Sequence, residues 1–308
     1  MQTPKQKVSI SRHEDFWFTD GSVVLVVENT AFRIHQSILS RHSDVFADMF
    51  TVPQPDLNDD DHLDGCPIVH LTDPLEDFVD VMKAIYEPFY FDNLSPNAEL
   101  PTLLNFISGI LRISTKYNLQ MLREKCIGIL RAKFPSTLAG CDALLSSGYQ
   151  YVSSAIVRAI PLARESNVPE ILPWAFYIST HIPANDLLKD PFLSWQDKAL
   201  CLAGKDKLWR TQIEHTHQFV FEFTRSTACV GACRGGAPQL MTWQEAELLR
   251  VSPHPLDHYE KWNTLKVCPK CLSHAEWQHQ AGRTKVWDML PSIFHLGSWD
   301  DIHKDQNR

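Results

Sequence analysis

The sequence predicts an α+β fold: a small sheet with helices, then a mostly helical region, then a cysteine-paired C-terminal segment. Short β-branched runs lie before residue 72, helix-period apolar patterns run from residue 101 to 223, and two close cysteine pairs follow residue 225. The two periodic patterns are typical of strands and helices. We therefore expect three parts, at residues 13–135, 136–224 and 225–308.

A hairpin opens the predicted sheet. Residues 23–27 are apolar on both faces, which is typical of a buried central strand. After a turn at residues 28–30, Phe32 and Ile34 alternate with Arg33, as in a half-exposed strand. The two runs therefore predict neighbouring antiparallel strands.

Helices and one more strand complete the first part. Two short helices are expected at residues 37–39 and 43–50, the second with Ser43 as its N-cap. A strand is expected at residues 68–71, after an acidic loop. Asp73 is then expected to cap a helix that has Pro74 at its first position. A helical pair follows between Pro101 and Pro135.

The middle of the chain has helix periodicity throughout. Patterns at residues 155–165 and 170–180 precede a helix that begins after Ser194, and Gly204 is expected to end that helix at its C′ position. The next pattern predicts one long amphipathic helix from Leu208 to Phe223. Beyond Arg225 neither period is evident, so we expect irregular structure there.

Composition excludes several classes of function. Of 308 residues, 44% are hydrophobic and 21% charged, which is typical of a globular protein. The formal net charge of −8 offers phosphate backbones no cationic field, so a nucleic-acid partner is disfavoured. The sequence has no glycine-rich nucleotide loop and no nucleophile-elbow motif. We expect no enzymatic activity.

Membrane and secretion signals are not evident either. The longest apolar run, residues 171–178, is far shorter than the ~18 residues of a membrane span, and Pro173 interrupts it. Residues 1–12 are polar and basic, unlike a secretory signal. We expect an intracellular protein, cytoplasmic or nuclear, with no membrane partner and with reduced cysteines.

The order of these elements, together with four sequence runs, resembles the BTB/POZ domain. The runs are DGSVVLVV at 20–27, FRIHQSIL at 32–39, SDVFADMF at 43–50 and LRISTKYNL at 111–119. The resemblance covers residues 13–135. It implies a non-enzymatic protein-protein interaction module that self-associates or binds partners.

The rest of the chain is similar to a group of fungal BTB-domain proteins with a helical middle and a cysteine- and tryptophan-containing end. The runs that carry this likeness are residues 229–233, 267–271, 282–283, 287–294 and Trp299. The likeness implies no known enzymatic activity.

Two alternative functions belong to other classes. Many BTB proteins are adaptors of cullin-type ubiquitin ligases, and recruiting members often carry a hydrophobic-x-Glu element after the Met-Phe helix. The nearest matches here, residues 52–54 and 57–59, have no Glu. The second alternative is a zinc-dependent transcriptional regulator that contacts nucleic acid through residues 225–308, whose ten Lys and Arg are dispersed among acids.

Two features near the sheet invite a functional interpretation. His35 is a lone histidine at a strand end beside apolar neighbours, and we interpret it as structural because no motif supplies a catalytic partner. Phe16, Trp17 and Phe18 lie before the first predicted strand in a polar context. Exposure of three adjacent aromatic rings is unfavourable, so they motivate a prediction of homodimerisation. The alternative is that the segment packs on its own sheet as an intramolecular strand.

Four cysteines have the spacing of a metal site. Cys229 and Cys233 form a C-x3-C pair, and Cys268 and Cys271 form a C-x2-C pair 34 residues later. Two close pairs of thiolates are a common way to build a tetrahedral zinc site, and four protein ligands leave no position for water. We expect one structural zinc ion. Four unrelated cysteines are the alternative, and nearby histidines are substitute ligands: His254, His258, His274 and His279.

Overall fold

The computed structural model describes residues 10–52, 62–221, 223–231, 233 and 243–305. By its internal contacts the chain divides into an N-terminal unit, Met1–Leu130, and a C-terminal unit, Arg131–Arg308. The expected division into three parts stays a prediction. The two near-matches to the cullin-recruiting element lie, apart from Val52, outside the described residues.

A five-stranded mixed sheet forms the N-terminal unit's core. Its strands are β1 (Ser11–Trp17), β2 (Val23–Val27), β3 (Thr30–Ile34), β4 (His62–Leu63) and β5 (Cys66–Leu71), in the order β1-β3-β2-β5-β4. The predicted hairpin is confirmed, because β2 pairs antiparallel with β3. On its other side β2 pairs parallel with β5. All five residues of β2 are buried, as expected of a central strand.

The expectation that three aromatic residues precede the first strand is wrong. Phe16 and Trp17 belong to β1, which pairs parallel with β3. The Phe16 ring is buried against Phe32 and Tyr86, and the guanidinium of Arg12 lies over Trp17. The segment therefore packs on its own sheet, and its aromatic rings do not by themselves call for a second chain.

Helices complete the N-terminal unit. Ser43 is confirmed as an N-cap, because its hydroxyl accepts from the Phe46 N–H at 3.0 Å. The expectation that Asp73 caps a helix with Pro74 at its first position is wrong. The helix begins at Leu75 with Pro74 as its N-cap residue, and the buried Asp73 carboxylate accepts from Lys116 Nζ and the Tyr117 hydroxyl. The helices are α1 (Gln36–His42), α2 (Asp44–Thr51), α3 (Leu75–Tyr86), α4 (Leu100–Lys116) and α5 (Gln120–Arg131).

The regular secondary structure of the C-terminal unit is helical in its described residues. Its helices are α6 (Leu138–Ser146), α7 (Ser153–Glu165), α8 (Leu172–Ser179), α9 (Ala184–Lys189), α10 (Trp195–Thr211), α11 (Gln218–Phe221), α12 (Trp243–Val251), α13 (Pro269–Ile293) and α14 (Trp299–Asp305). A π-helical turn, Gln212–Thr216, joins α10 to α11. None of the described helices in either unit has both the length and the apolar character to cross a membrane.

Gly204 does not end a helix, contrary to the expectation. Helix α10 continues through it to Thr211, and a Cβ at position 204 would lie 2.1 Å from Cε1 of Phe294. The glycine is thus explained by close packing against a buried ring rather than by a turn. The expectation of one long helix over residues 208–223 is also wrong, because the π-helical turn divides that range.

The expectation of irregular structure beyond residue 225 is wrong for α13, which has 25 residues. The apolar periodicity of its sequence is interrupted because some of its buried positions hold polar or small residues. The Arg283 side chain is fully buried and donates to Leu256 O, Gln280 Oε1 and Asp142. A Cβ at Gly282 would lie 2.1 Å from the backbone oxygen of residue 215. A helix buried by such contacts has no simple amphipathic pattern.

Candidate metal centre

The four predicted cysteines converge in the C-terminal unit. Their Sγ atoms all lie within 4.8 Å of one another, and they are Cys229, Cys233, Cys268 and Cys271. The Sγ atoms of Cys268 and Cys229, one from each pair, are 3.8 Å apart. Bonds of ~2.3 Å in a regular zinc tetrahedron place sulfur atoms about 3.8 Å apart. The cluster therefore fits a zinc ion with small side-chain adjustments.

The first pair lies on a tight turn after α11. The Cys229 N–H donates to Ser226 O at 3.0 Å, and Gly231 has φ +102°, a conformation that favours glycine. The turn directs the backbone N–H groups of Gly231 and Cys233 at Cys229 Sγ, and these hydrogen bonds lower the pKa of that thiol. Backbone donors of this kind stabilise a thiolate ligand.

The second pair occupies the start of α13. Cys268 is the N-cap residue, Pro269 is the first helical residue and Cys271 is the third. Proline is well suited to that position because its fixed φ matches the helix and its missing N–H would have no helical partner. Cys268 is partly exposed, whereas Cys271 is fully buried. Burial raises the pKa of Cys271, so an ionised Cys271 requires a nearby cation.

Hydrogen bonds to sulfur join the two segments. The Cys268 N–H donates to Cys233 Sγ at 3.2 Å. The backbone of Ser226 bonds to Cys271 Sγ and favours its thiolate. Sequence spacing identified the four sulfur atoms but not these backbone donors, because a backbone group carries no residue-type signal.

The four other cysteines lie apart from this cluster. Cys126, Cys141 and Cys201 are buried, and burial raises the pKa of each thiol to about 12. Cys66 is also buried, and its thiol donates to Gly21 O. A buried neutral thiol is a poor nucleophile. These residues are therefore small apolar side chains of the interior.

The substitute histidine ligands are not in the cluster among the described residues. His279 uses both ring nitrogens: Nδ1 donates to Thr216 O at 2.8 Å, and Nε2 accepts from the Tyr259 N–H at 3.2 Å. His258 lies beside Asp142, and His274 stacks on Trp277. The described donor set is therefore four thiols.

An aromatic cluster adjoins the cysteines, with Phe219 buried and Tyr259 and Trp262 partly buried. Phe219 stacks on Trp262 with ring centroids 5.0 Å apart, and Tyr259 packs on both rings. Val267 and Leu272, which flank the second cysteine pair in sequence, pack against this cluster. Any ion that fixes the cysteines therefore also fixes the aromatic cluster.

His35 has two partners that sequence reasoning missed. Its Nδ1 lies 3.2 Å from the Tyr86 hydroxyl, and its Nε2 lies 3.3 Å from the exposed Asp20 carboxylate. The Tyr86 hydroxyl also accepts from the His35 backbone N–H. Burial raises the pKa of Tyr86, so its phenol stays protonated. The contacts link the end of β3 to α3, and no spacing rule would have related positions 20, 35 and 86.

Comparison with known proteins identifies one region of the chain. Residues 18–133 match the family model of the BTB/POZ domain. No curated protein matches the chain. The match ends before the first of the four clustered cysteines, so the assignment of a metal rests on the geometry of the C-terminal unit.

Proposed function

We propose, because residues 18–133 are a BTB/POZ domain, that this chain is a non-enzymatic interaction protein that forms a homodimer through that domain. BTB/POZ domains are generally protein-interaction modules, and the family match is the observation that carries the proposal. We further propose that the protein acts inside the cell as an adaptor, with its C-terminal unit held by a structural zinc ion.

Exposed apolar side chains on the N-terminal unit support self-association. Phe89 and Met121 are each 76% exposed. Full burial of a side chain of this size contributes about 1.5–3 kcal/mol. An interface that covers both residues would therefore gain substantially from removing them from water.

Light scattering at micromolar concentration tests the dimer. The expected mass is about 71 kDa, twice the 35.3 kDa of one chain. The double variant Phe89→Ser/Met121→Ser is expected to shift the mass toward one chain. Leu248→Ser, which alters a similarly exposed apolar residue of the C-terminal unit, is the matched control and is expected to remain dimeric. A single 35 kDa species of the wild type would exclude the homodimer.

The zinc ion is proposed at Cys229, Cys233, Cys268 and Cys271. Four clustered thiols support it, since several thiolates this close repel one another unless a cation lies between them. Closed coordination makes the ion structural. Elemental analysis of protein purified under reducing conditions is expected to give about one zinc per chain. Content far below one would exclude the site, and Cys201→Ser is expected to bind as wild type does.

The alternative adaptor function is recruitment of a cullin-type ligase scaffold. Val52, the first residue of one near-match, is 59% exposed at the end of α2, which favours a contact there. Calorimetric titration with a purified cullin N-terminal domain tests it, and Val52→Asp is expected to abolish binding if that residue is in the contact. An electrophoretic shift of random duplex DNA tests the zinc-dependent regulator in the same way.

A further inference from the structure

The cysteine pair at the start of α13 has an asymmetry that a structural zinc site does not require. Cys268 is the N-cap residue and is partly open to solvent, whereas Cys271 is fully buried on the same helical turn. Between them, Pro269 and Lys270 are exposed. The pair therefore combines one partly exposed cysteine with one fully buried cysteine.

The more exposed cysteine of the pair lies at a helix terminus. The first N–H groups of a helix have no helical acceptor, and the N-terminal end carries a partial positive charge. A peroxide can reach a partly exposed cysteine in such a position, whereas a fully buried cysteine is inert. Helix α13 is long enough, at 25 residues, to develop that field, and Lys266 and Lys270 are both exposed near its start.

The sulfur atom of Cys271 is placed to resolve an oxidised Cys268. The two Sγ atoms lie within 4.8 Å, and both residues belong to the first turn of α13, Cys268 as its N-cap and Cys271 as its third helical residue. A disulfide needs an S–S bond of about 2.05 Å, which side-chain rotation within a turn can supply. Cys229 is also near Cys268, at 3.8 Å, but its turn is joined to α13 through bonds to the sulfur atoms themselves.

We propose, resting on the zinc ion assigned above, that Cys268 is an oxidation site at which a hydroperoxide releases the metal. The Cys268 thiolate attacks one peroxide oxygen, the O–O bond breaks, and hydroxide leaves to give a sulfenic acid. The Cys271 thiolate then attacks that sulfur, the S–O bond breaks, and a second hydroxide leaves. Two thiolates are oxidised by two electrons to one disulfide, and hydrogen peroxide with two protons becomes two waters.

Loss of two ligands releases the ion and loosens the aromatic cluster. A zinc ion held by only two thiolates exchanges them for water, and the turn that carries Cys229 and Cys233 is no longer tied to α13. Leu272 and Ala275, one and four residues beyond Cys271, pack in the cluster with Phe219. The oxidised C-terminal unit therefore exposes apolar surface that the reduced unit buries.

Peroxide titration of the full chain tests this site. Protein purified under reducing conditions is first assayed for zinc, then treated with hydrogen peroxide while a chromogenic indicator records free zinc. Differential alkylation and peptide mapping identify the disulfide. We expect about one zinc released per disulfide, with Cys268 joined to Cys271, and full recovery with dithiothreitol and zinc.

A charge variant separates the role of the helix terminus from general oxidation. Lys270→Glu is expected to slow zinc release by roughly threefold, because it opposes the thiolate at that end. Lys285→Glu makes the same change at an exposed position of α13 about four turns away, and is expected to leave the rate unchanged. Equal rates for the two variants would overturn the proposed selectivity for Cys268.

The remaining outcomes are distinguishable. Zinc that is present in the reduced protein and retained in excess peroxide would overturn the oxidation site and leave the structural zinc ion in place. A first disulfide between Cys229 and Cys233, or between Cys229 and Cys268, would overturn the roles assigned to Cys268 and Cys271. Reduced protein without zinc would overturn both the oxidation site and the zinc ion, while the homodimer would be unaffected.

Discussion

The two units of the chain bury different kinds of side chain. In the described part of the N-terminal unit, the buried polar or charged residues are Ser43, Asp73 and Ser114. Among the described residues of the C-terminal unit there are twelve, including charged residues and histidines. Apolar burial does not depend on protonation or on a bound ion, whereas a buried charge depends on its own partner. The C-terminal unit should therefore be the more sensitive to metal, charge and pH.

Removal of the metal should give the largest difference in stability between the two units. Cys268→Ser removes one of the four sulfur ligands, and we expect the C-terminal unit to lose more than about 4 kcal/mol of unfolding free energy. Hydrogen exchange is expected to show lost protection after residue 225 with residues 18–130 unchanged. Cys126→Ser, a buried thiol of α5, is the control and should cost only about 1 kcal/mol. Equal loss of protection in both units would contradict the comparison.

A buried cation gives the next largest effect. Arg283→Met leaves Asp142 without the guanidinium that contacts it, and we expect a loss of about 3 kcal/mol. Arg210→Met removes an exposed arginine that pairs with Asp206, and should cost less than about 0.5 kcal/mol. Chemical denaturation of the two variants measures the difference. Similar midpoints would show that Arg283 does not have the role assigned to it.

Substitution of two helical glycines by alanine should change stability in opposite directions. Gly204→Ala places a methyl group 2.1 Å from the Phe294 ring, and we expect a loss of about 2 kcal/mol although alanine favours helix. Gly128 in α5 has open space around its Cα, so Gly128→Ala should gain about 0.5–1 kcal/mol. Thermal unfolding of both variants measures the signs. Stabilisation by Gly204→Ala would contradict the packing described for Phe294.

Mild acid should destabilise the C-terminal unit first. Burial lowers the pKa of His217 to about 3, and burial also lowers the pKa of His279. In the folded state these two imidazoles therefore stay neutral below pH 6.5, whereas in the unfolded chain they bind protons. Stability is constant above that pH and falls toward the lower folded pKa, by up to about 1.4 kcal/mol per pH unit for each histidine.

A histidine substitution sharpens that pH test. His217→Gln is expected to reduce the slope of stability against pH between pH 6 and 4, as measured by denaturation at several pH values. His42→Gln, which alters an exposed histidine of α1, should leave the slope unchanged. An unchanged slope in His217→Gln would show that His217 protonation does not contribute.

Periodicity predicted the N-terminal unit well because its core is built from regular apolar patterns, with both faces of β2 buried and one face of each helix. The hairpin, the Ser43 cap and the α3 to α5 helices follow that pattern. The exceptions involve distant partners: Asp73 is bonded by Lys116 and Tyr117 rather than capping its own helix. A residue's local preference cannot reveal a partner 43 positions away.

The C-terminal unit was less predictable because more of its buried residues contact partners that are distant in sequence. The fully buried Arg283 and the close contact of Gly282 interrupt the apolar pattern of α13, so its length was not evident. The cysteine set was predicted from spacing alone, since short metal-binding turns are local. Its position at the N-terminus of a long helix, and the difference in exposure between Cys268 and Cys271, required the structure.

The Asp142 and Arg283 pair has a consequence for the order of synthesis. The two residues are 141 positions apart, and ribosomes add roughly 5–20 residues per second. The Asp142 carboxylate is therefore made about 7–28 seconds before its guanidinium partner. During that interval the helices around Asp142 lack the contact with α13, which is not yet translated, whereas every described strand of the sheet has already been made. A nascent C-terminal unit is thus the part of this chain with the greater need of chaperone protection.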